Sequence, residues 1–182
     1  RLHSDGWWGK SEPIHISAIP SKKNVSAGKI NNIIFKNIKA NSESGAIIFS
    51  EGESKISNIY FKGLQIKLEE GKYSKKYGGN FDLRPTELVS KSIFEHDIPG
   101  LYAKGVNGLK IENINVKWGK QKSNFYTYGL ELENFENLII KNFNISAAFE
   151  EKADIKLTNG KKFKIFNDIS PNKKTKILYP KN

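Results

Sequence analysis

The sequence predicts an all-β protein wound as a parallel β-helix, and three observations carry that expectation. Four stretches repeat one alternating pattern: IIFKNIKA ending at Ala40, IYFKGLQI ending at Ile66, LKIENINV ending at Val116 and LIIKNFNI ending at Ile145. Each has Asn or Gly at a matched position: Asn37, Gly63, Asn113 and Asn142. Those positions are 26, 50 and 29 residues apart, and 50 reads as two steps around a diverged copy between Ile66 and Leu109. The chain then advances one coil about every 25 residues, within the range of roughly 20 to 50 that marks solenoids.

Ahead of the last two repeats stands a further short strand, GLYAKGV over Gly100 to Val106 and GLELENF over Gly129 to Phe135. A polar pair, Asn107-Gly108 or Glu136-Asn137, leads from it into the repeat. Asn-Gly also suits a hairpin, which would make a meander, sandwich or barrel. A matched Asn at one turn fits stacked coils better, because Asn tolerates left-handed backbone and its amide can bond the equivalent amide one coil away. Alternate side chains on a strand share a face. Thus Phe35, Phe61, Ile111 and Ile140 fall in one register, and Leu109, Ile111 and Ile114 stack on Leu138, Ile140 and Phe143.

The 182 residues form one domain. Two segments depart from the repeat and read as insertions, 11–28 and 69–99, the second holding Tyr73, Tyr77, Gly78-Gly79, Asp82, Arg84, His96 and Asp97. Residues from about 150 to 182 (Ile155 to Leu157, Phe163 to Phe166, Ile177 to Tyr179) read as a C-terminal cap, with no counterpart at the other end. The expectation is the C-terminal part of a longer helix.

Composition bounds the function. Cys and Met are absent, so no disulfide, thiol nucleophile or cysteine metal site is available. No apolar run spans a membrane, and neither a Gly-rich phosphate loop nor a Cys/His metal spacing occurs; no cofactor and no metal are expected. His3 and Asp5 share a strand face without a third ligand. The +11 charge and pI near 9.6 suggest an acidic partner. That charge is almost all Lys, spread along the chain, with Arg only at 1 and 84. Nucleic-acid readers rely on Arg and on clustered charge, so a nucleic-acid partner is not expected.

Chemistry-bearing residues concentrate in the second insertion and the strands after it. His96 and Asp97 are candidate general acid or base, although neighbours on extended backbone point apart. Arg84, the lone arginine outside the first residue, binds a carboxylate in two-point fashion, either in a ligand or internally in Asp82 or Glu87. Stacking in register places Tyr102 beside Glu131 and Lys104 beside Glu133. That set is either a solvated Lys-Glu ladder or a sugar groove with Tyr102 as platform. Trp7 and Trp8 suit a sugar platform or a core cover. Asn24-Val-Ser and Asn144-Ile-Ser match the glycosylation pattern.

HDIPGLYAKGVNGLKIENINVKW, with YGLELENFENLIIKNFNI and INNIIFKNI, resembles the later coils of right-handed parallel β-helix proteins of the pectate-lyase-like superfamily, most of all polygalacturonase-like glycoside hydrolase family 28. The resemblance implies a secreted or periplasmic protein that hydrolyses glycosidic bonds of an acidic, pectin-like polysaccharide, usually with inversion between two separated aspartates. The family's Asn-Thr-Asp, Asp-Asp, Gly-His-Gly and Arg-Ile-Lys motifs do not occur here. Either the catalytic coils lie upstream of Arg1 or the scaffold is used differently, as a lyase or as a non-catalytic carbohydrate-binding or adhesion module. In these readings Arg84, Tyr102, Lys104, Glu131, Trp7 and Trp8 contact sugar.

Overall fold

The computed structural model describes residues 12–51, 55–84, 92–120, 123–171 and 174–179. They form an all-β structure with two wholly parallel sheets. Sheet A joins β1 (His15–Ala18), β3 (Ala46–Ser50), β7 (Leu101–Lys104), β9 (Leu130–Glu133), β11 (Ile155–Thr158) and β13 (Ile177–Leu178) in that spatial order. Sheet B joins β2 (Ile30–Ser42), β4 (Ile56–Leu68), β8 (Val106–Trp118), β10 (Glu136–Ile145) and β12 (Lys161–Asp168). Along the chain these strands alternate between A and B. Only β5 (Asn80–Asp82) and β6 (Ile93–Glu95) pair antiparallel.

The register expected from the repeats is the one observed. Phe35, Phe61, Ile111, Ile140 and Ile165 pair in succession, and the Phe35 and Phe61 rings stack at 4.9 Å. The 50-residue step is different. Ile56 pairs directly with Val106 and Leu68 with Trp118, so no diverged copy lies between β4 and β8. The extra length is an excursion containing α1 (Lys72–Tyr77), β5 and β6. The segment 11–28 likewise is not all insertion, because β1 lies inside it and pairs with β3. At the C-terminal side β11, β12 and β13 extend both sheets, with β12 and β13 as their edges.

What keeps the register is a set of left-handed residues. Asn37, Gly63, Asn113, Asn142 and Asn167 have φ between 53° and 77°, and Asn32, Asn58, Gly108, Asn137 and Lys162 form a second column at 52° to 79°. Asn and Gly are the residues that enter this region at least cost. Strand pairing skips both columns, so each long strand of sheet B breaks its β conformation there. The side chains then bond between strands. Asn142 Nδ2 donates to Asn113 Oδ1 at 3.0 Å and Asn167 Nδ2 to Asn142 Oδ1 at 3.1 Å. Asn159 on Asn134 repeats the device beside sheet A.

In β4 Ile59, Phe61, Leu64, Ile66 and Leu68 are buried and the residues between them face outward, the alternation skipping one residue at the left-handed Gly63. With Leu101, Ala103, Leu130 and Leu132 of sheet A they belong to one apolar core. Burying each large side chain contributes about 1.5–3 kcal/mol. Sheet A is buried on both faces at β3, where Ile47 and Phe49 are as inaccessible as Ala46 and Ile48. The second insertion is what covers its outer side.

The columns predict their own energetics. Asn142→Ala removes the short polar side chain that eases Asn into left-handed backbone and breaks two amide bonds, so it should lower unfolding free energy by about 2–3 kcal/mol. Asn142→Gly keeps the backbone and should cost less. Lys162→Asn replaces a strained residue by the column's preferred one and should raise the urea midpoint. A midpoint order of Lys162→Asn, wild type, Asn142→Gly, Asn142→Ala checks all three.

Candidate functional site

The second insertion is fastened to the sheets by a carboxylate. Glu43 Oε2 accepts from the backbone N–H of Tyr73 at 2.8 Å and of Ser74 at 2.9 Å, satisfying the free donors at the start of α1. A β-carbon at Gly71 would lie 2.4 Å from that carboxylate, so any larger residue there would have to displace the Glu43 side chain. From this anchor β5 and β6 cross the outer face of sheet A. Phe94 packs on Phe49 at 5.0 Å and on Tyr102 at 5.5 Å, while Phe81 stacks on Tyr102 at 5.9 Å.

That covering corrects the reading of Tyr102 as a sugar platform. Tyr102 is fully buried beneath Phe81, Phe94 and His96, and its hydroxyl donates to Glu133 Oε2 at 3.0 Å. Burial, with the charges of Glu133 and Glu131, holds the phenol well above its ordinary pKa, so it stays protonated as a donor. The expected neighbours are present: Tyr102 pairs with Glu131 and Lys104 with Glu133 along the strands. Lys104 Nζ lies 3.0 Å from Glu133 Oε1. Burial pushes the Glu133 carboxyl up, but bonds from Lys104 and Tyr102 outweigh it and leave the pKa lowered.

Glu131 is the most enclosed charge of the group. Its Oε1 accepts from Lys156 Nζ at 2.8 Å, and its Oε2 is buried with no hydrogen-bond partner. Lys156 also lies over the Tyr128 ring at 5.2 Å. His96 approaches from the insertion, Nε2 standing 3.7 Å from Glu131 Oε1. Its Nδ1 is 2.5 Å from the carbonyl oxygen of Asp97. A carbonyl only accepts, so Nδ1 carries a hydrogen, and in the neutral ring Nε2 offers a lone pair to a carboxylate. At 3.7 Å the ring and the carboxylate face each other at more than hydrogen-bond length.

The remaining candidates go elsewhere. Asp97 is exposed and contributes its backbone carbonyl, with the carboxylate outside this group. Arg84 is turned inward: its guanidinium grips the buried Asp82, Nε donating to Oδ1 at 2.8 Å, and Asp82 N in turn donates to Glu12 Oε1. The fork matches an internal carboxylate, so Arg84 pins the loop. Trp7 and Trp8, with His3 and Asp5, lie outside the described residues. Lys156 and Tyr128 complete the group without having been expected, although Lys156 stands 25 residues after Glu131, one step of the repeat. Among the described residues no helix is long and apolar enough to cross a membrane, and no group of three or more His, Asp or Glu could hold a metal.

No protein-family model, curated protein or solved structure matches this chain.

Glu133 makes stability depend on pH with a definite sign. Its folded pKa lies below the unfolded value, so its contribution is complete above the ordinary glutamate range and fades as pH falls through the folded value. Urea midpoints of the wild type should therefore drop from pH 6 to pH 3, and Glu133→Gln should show a shallower drop. An unchanged slope in the variant would remove Glu133 from the acid-sensitive set.

Proposed function

We propose that the chain winds as a right-handed parallel β-helix and that the outer face of sheet A acts on an acidic polysaccharide, by hydrolysis of glycosidic bonds. Support for the winding comes from strict alternation of strands between two wholly parallel sheets with matched registers. Parallel neighbours need a crossover, and crossovers are right-handed in about 98% of cases. The resemblance of the repeats to pectate-lyase-like coils points the same way.

The observation that carries the chemistry is His96 standing 3.7 Å from the buried Glu131, with Glu133 two residues further along the same strand face. Two carboxylates on one strand face, each held by its own lysine, are the kind of pair that inverting hydrolysis uses, with a water between them. In this reading His96, set beside Glu131, passes a proton to the glycosidic oxygen as its bond to the anomeric carbon breaks. Glu133, held ionised, takes a proton from the attacking water. Lys104 and Lys156 flank the carboxylates and favour an anionic glycan over a neutral one. Such glycans are extracellular, so the protein works outside the cytoplasm.

One observation favours a second, non-catalytic reading. Lys104 is already bonded to Glu133 and Lys156 to Glu131, so the face also makes sense as a closed ionic clasp that only binds glycan at its rim. The third possibility, a lyase with a base of Lys, Arg or His type among Lys104, Arg84 and His96, is less favoured because Lys104 is bonded to Glu133 and Arg84 to Asp82.

Incubation with polygalacturonate, following reducing ends together with absorbance of unsaturated sugars, separates the three. Hydrolysis raises reducing ends alone, and Glu131→Gln or His96→Ala should slow it by roughly 10²–10⁴-fold. Unsaturated product would replace hydrolase by lyase. Binding without either product, abolished by Lys104→Gln with Lys156→Gln, would establish the non-catalytic module.

A further inference from the structure

The opposite side of the molecule carries a cationic groove that the sheet A chemistry does not use. Beyond the column of Asn37, Gly63 and Asn113, β2, β4 and β8 run side by side with Lys39, Gln65 and Asn115 paired in one row and Asn41, Lys67 and Lys117 in the next. Parallel strands lie about 4.8 Å apart, and residues two apart share a face. All six side chains therefore face outward together, and they line a depression of about 230 Å³. Three cations sit here among three carboxamides.

The charges are largely uncompensated. Lys67 pairs with Glu69, but among the described residues neither Lys39 nor Lys117 has an acidic partner. The amides are also available. Asn115 Oδ1 is buried without a partner, while its Nδ2, with no hydrogen bond and not enclosed, remains as a donor at the groove. A single face thus offers ammonium groups at fixed intervals with neutral donors and acceptors between them.

We infer that this groove is a second, separate binding site, for a carboxylated or sulfated polysaccharide chain. Ammonium groups answer the acid groups and carboxamides answer the hydroxyls between them. A nucleic acid is a poorer fit, because binders of single strands stack bases on aromatic side chains and draw on Arg, and this lining has neither. The site lies on the sheet opposite His96 and Glu131 and stands whether or not those residues cleave a glycan. Its role is to hold a polymer along the scaffold, adding a second contact to the first.

Affinity electrophoresis of the whole chain through gels containing polygalacturonate, heparin, a neutral glucan or single-stranded DNA tests the site. Retardation by one or both acidic glycans and none by the glucan is expected; the carboxylated and sulfated gels tell which acid group is preferred. Lys39→Gln, Lys67→Gln and Lys117→Gln combined should weaken binding by roughly 10- to 100-fold, as three partly solvated ion contacts would. Lys72→Gln, Lys75→Gln and Lys174→Gln, which remove the same charge elsewhere, should leave it near wild type. The inference is overturned if the groove triple variant binds like wild type, if the control triple loses as much, if no acidic glycan binds, or if only DNA is retarded. The six substitutions are at solvent-facing lysines, and unchanged circular dichroism confirms that loss of binding is local.

Discussion

The structure depends on one constraint: wherever a strand of sheet B must break its β conformation, it does so at the same place as its neighbours. Left-handed backbone is costly for most side chains and cheap for Asn and Gly. Columns of these residues at Asn32 to Lys162 and Asn37 to Asn167 therefore fix where each strand bends. A slip by one residue would put an ordinary side chain into left-handed backbone, and it would also turn the apolar set Ile59, Phe61, Leu64 and Ile66 toward solvent. Two penalties oppose the same error, so the register is held twice. The amide bonds between stacked asparagines then contribute a further, smaller amount.

Given that register, what each face presents follows from arithmetic on the chain. Every outward residue has a neighbour one step before and one step after it, and charge chemistry becomes a matter of what stands in those columns. On sheet A the column Tyr102, Glu131, Lys156 and the column Lys104, Glu133, Thr158 each set one carboxylate beside one lysine and one neutral hydroxyl. They close into hydrogen-bonded pairs. The excursion between β4 and β8 finishes the enclosure by laying Phe81, Phe94 and His96 over the same face. Burial makes the exchange unforgiving, because a buried carboxylate that loses its cation keeps its desolvation cost.

The columns were legible in the sequence because period and face are one-dimensional properties: matched Asn, alternating apolar residues and constant spacing are all visible without a structure. So were the pairings of Tyr102 with Glu131 and Lys104 with Glu133, and Lys156 was within reach by adding one more step. What the sequence hid is how an irregular segment folds back. Fifty residues looked like two steps because length alone cannot distinguish a repeat from an excursion, and direct pairing of Ile56 with Val106 settles it. Tyr102 looked like an exposed platform because alternation says which face a residue is on, and says nothing of what else covers that face. Arg84 left two options open for the same reason. Its choice of Asp82 is set by a loop geometry that no periodicity encodes.

The two faces also differ in what they could exchange with solution. On sheet A a ligand must compete with contacts of 2.8 to 3.0 Å that already satisfy the lysines, so binding there displaces internal ion pairs and gains only the difference. At the groove of sheet B, Lys39 and Lys117 bring no such debt, and an arriving anion would replace only water. Affinity and chemistry therefore need not reside together. Carboxylates already held by lysines are poorly suited to hold an anionic polymer, whereas open cations on a regular sheet are suited to it. A repeated scaffold reconciles the two demands, because the same fixed spacing that stacks the core also sets out charges along its surface.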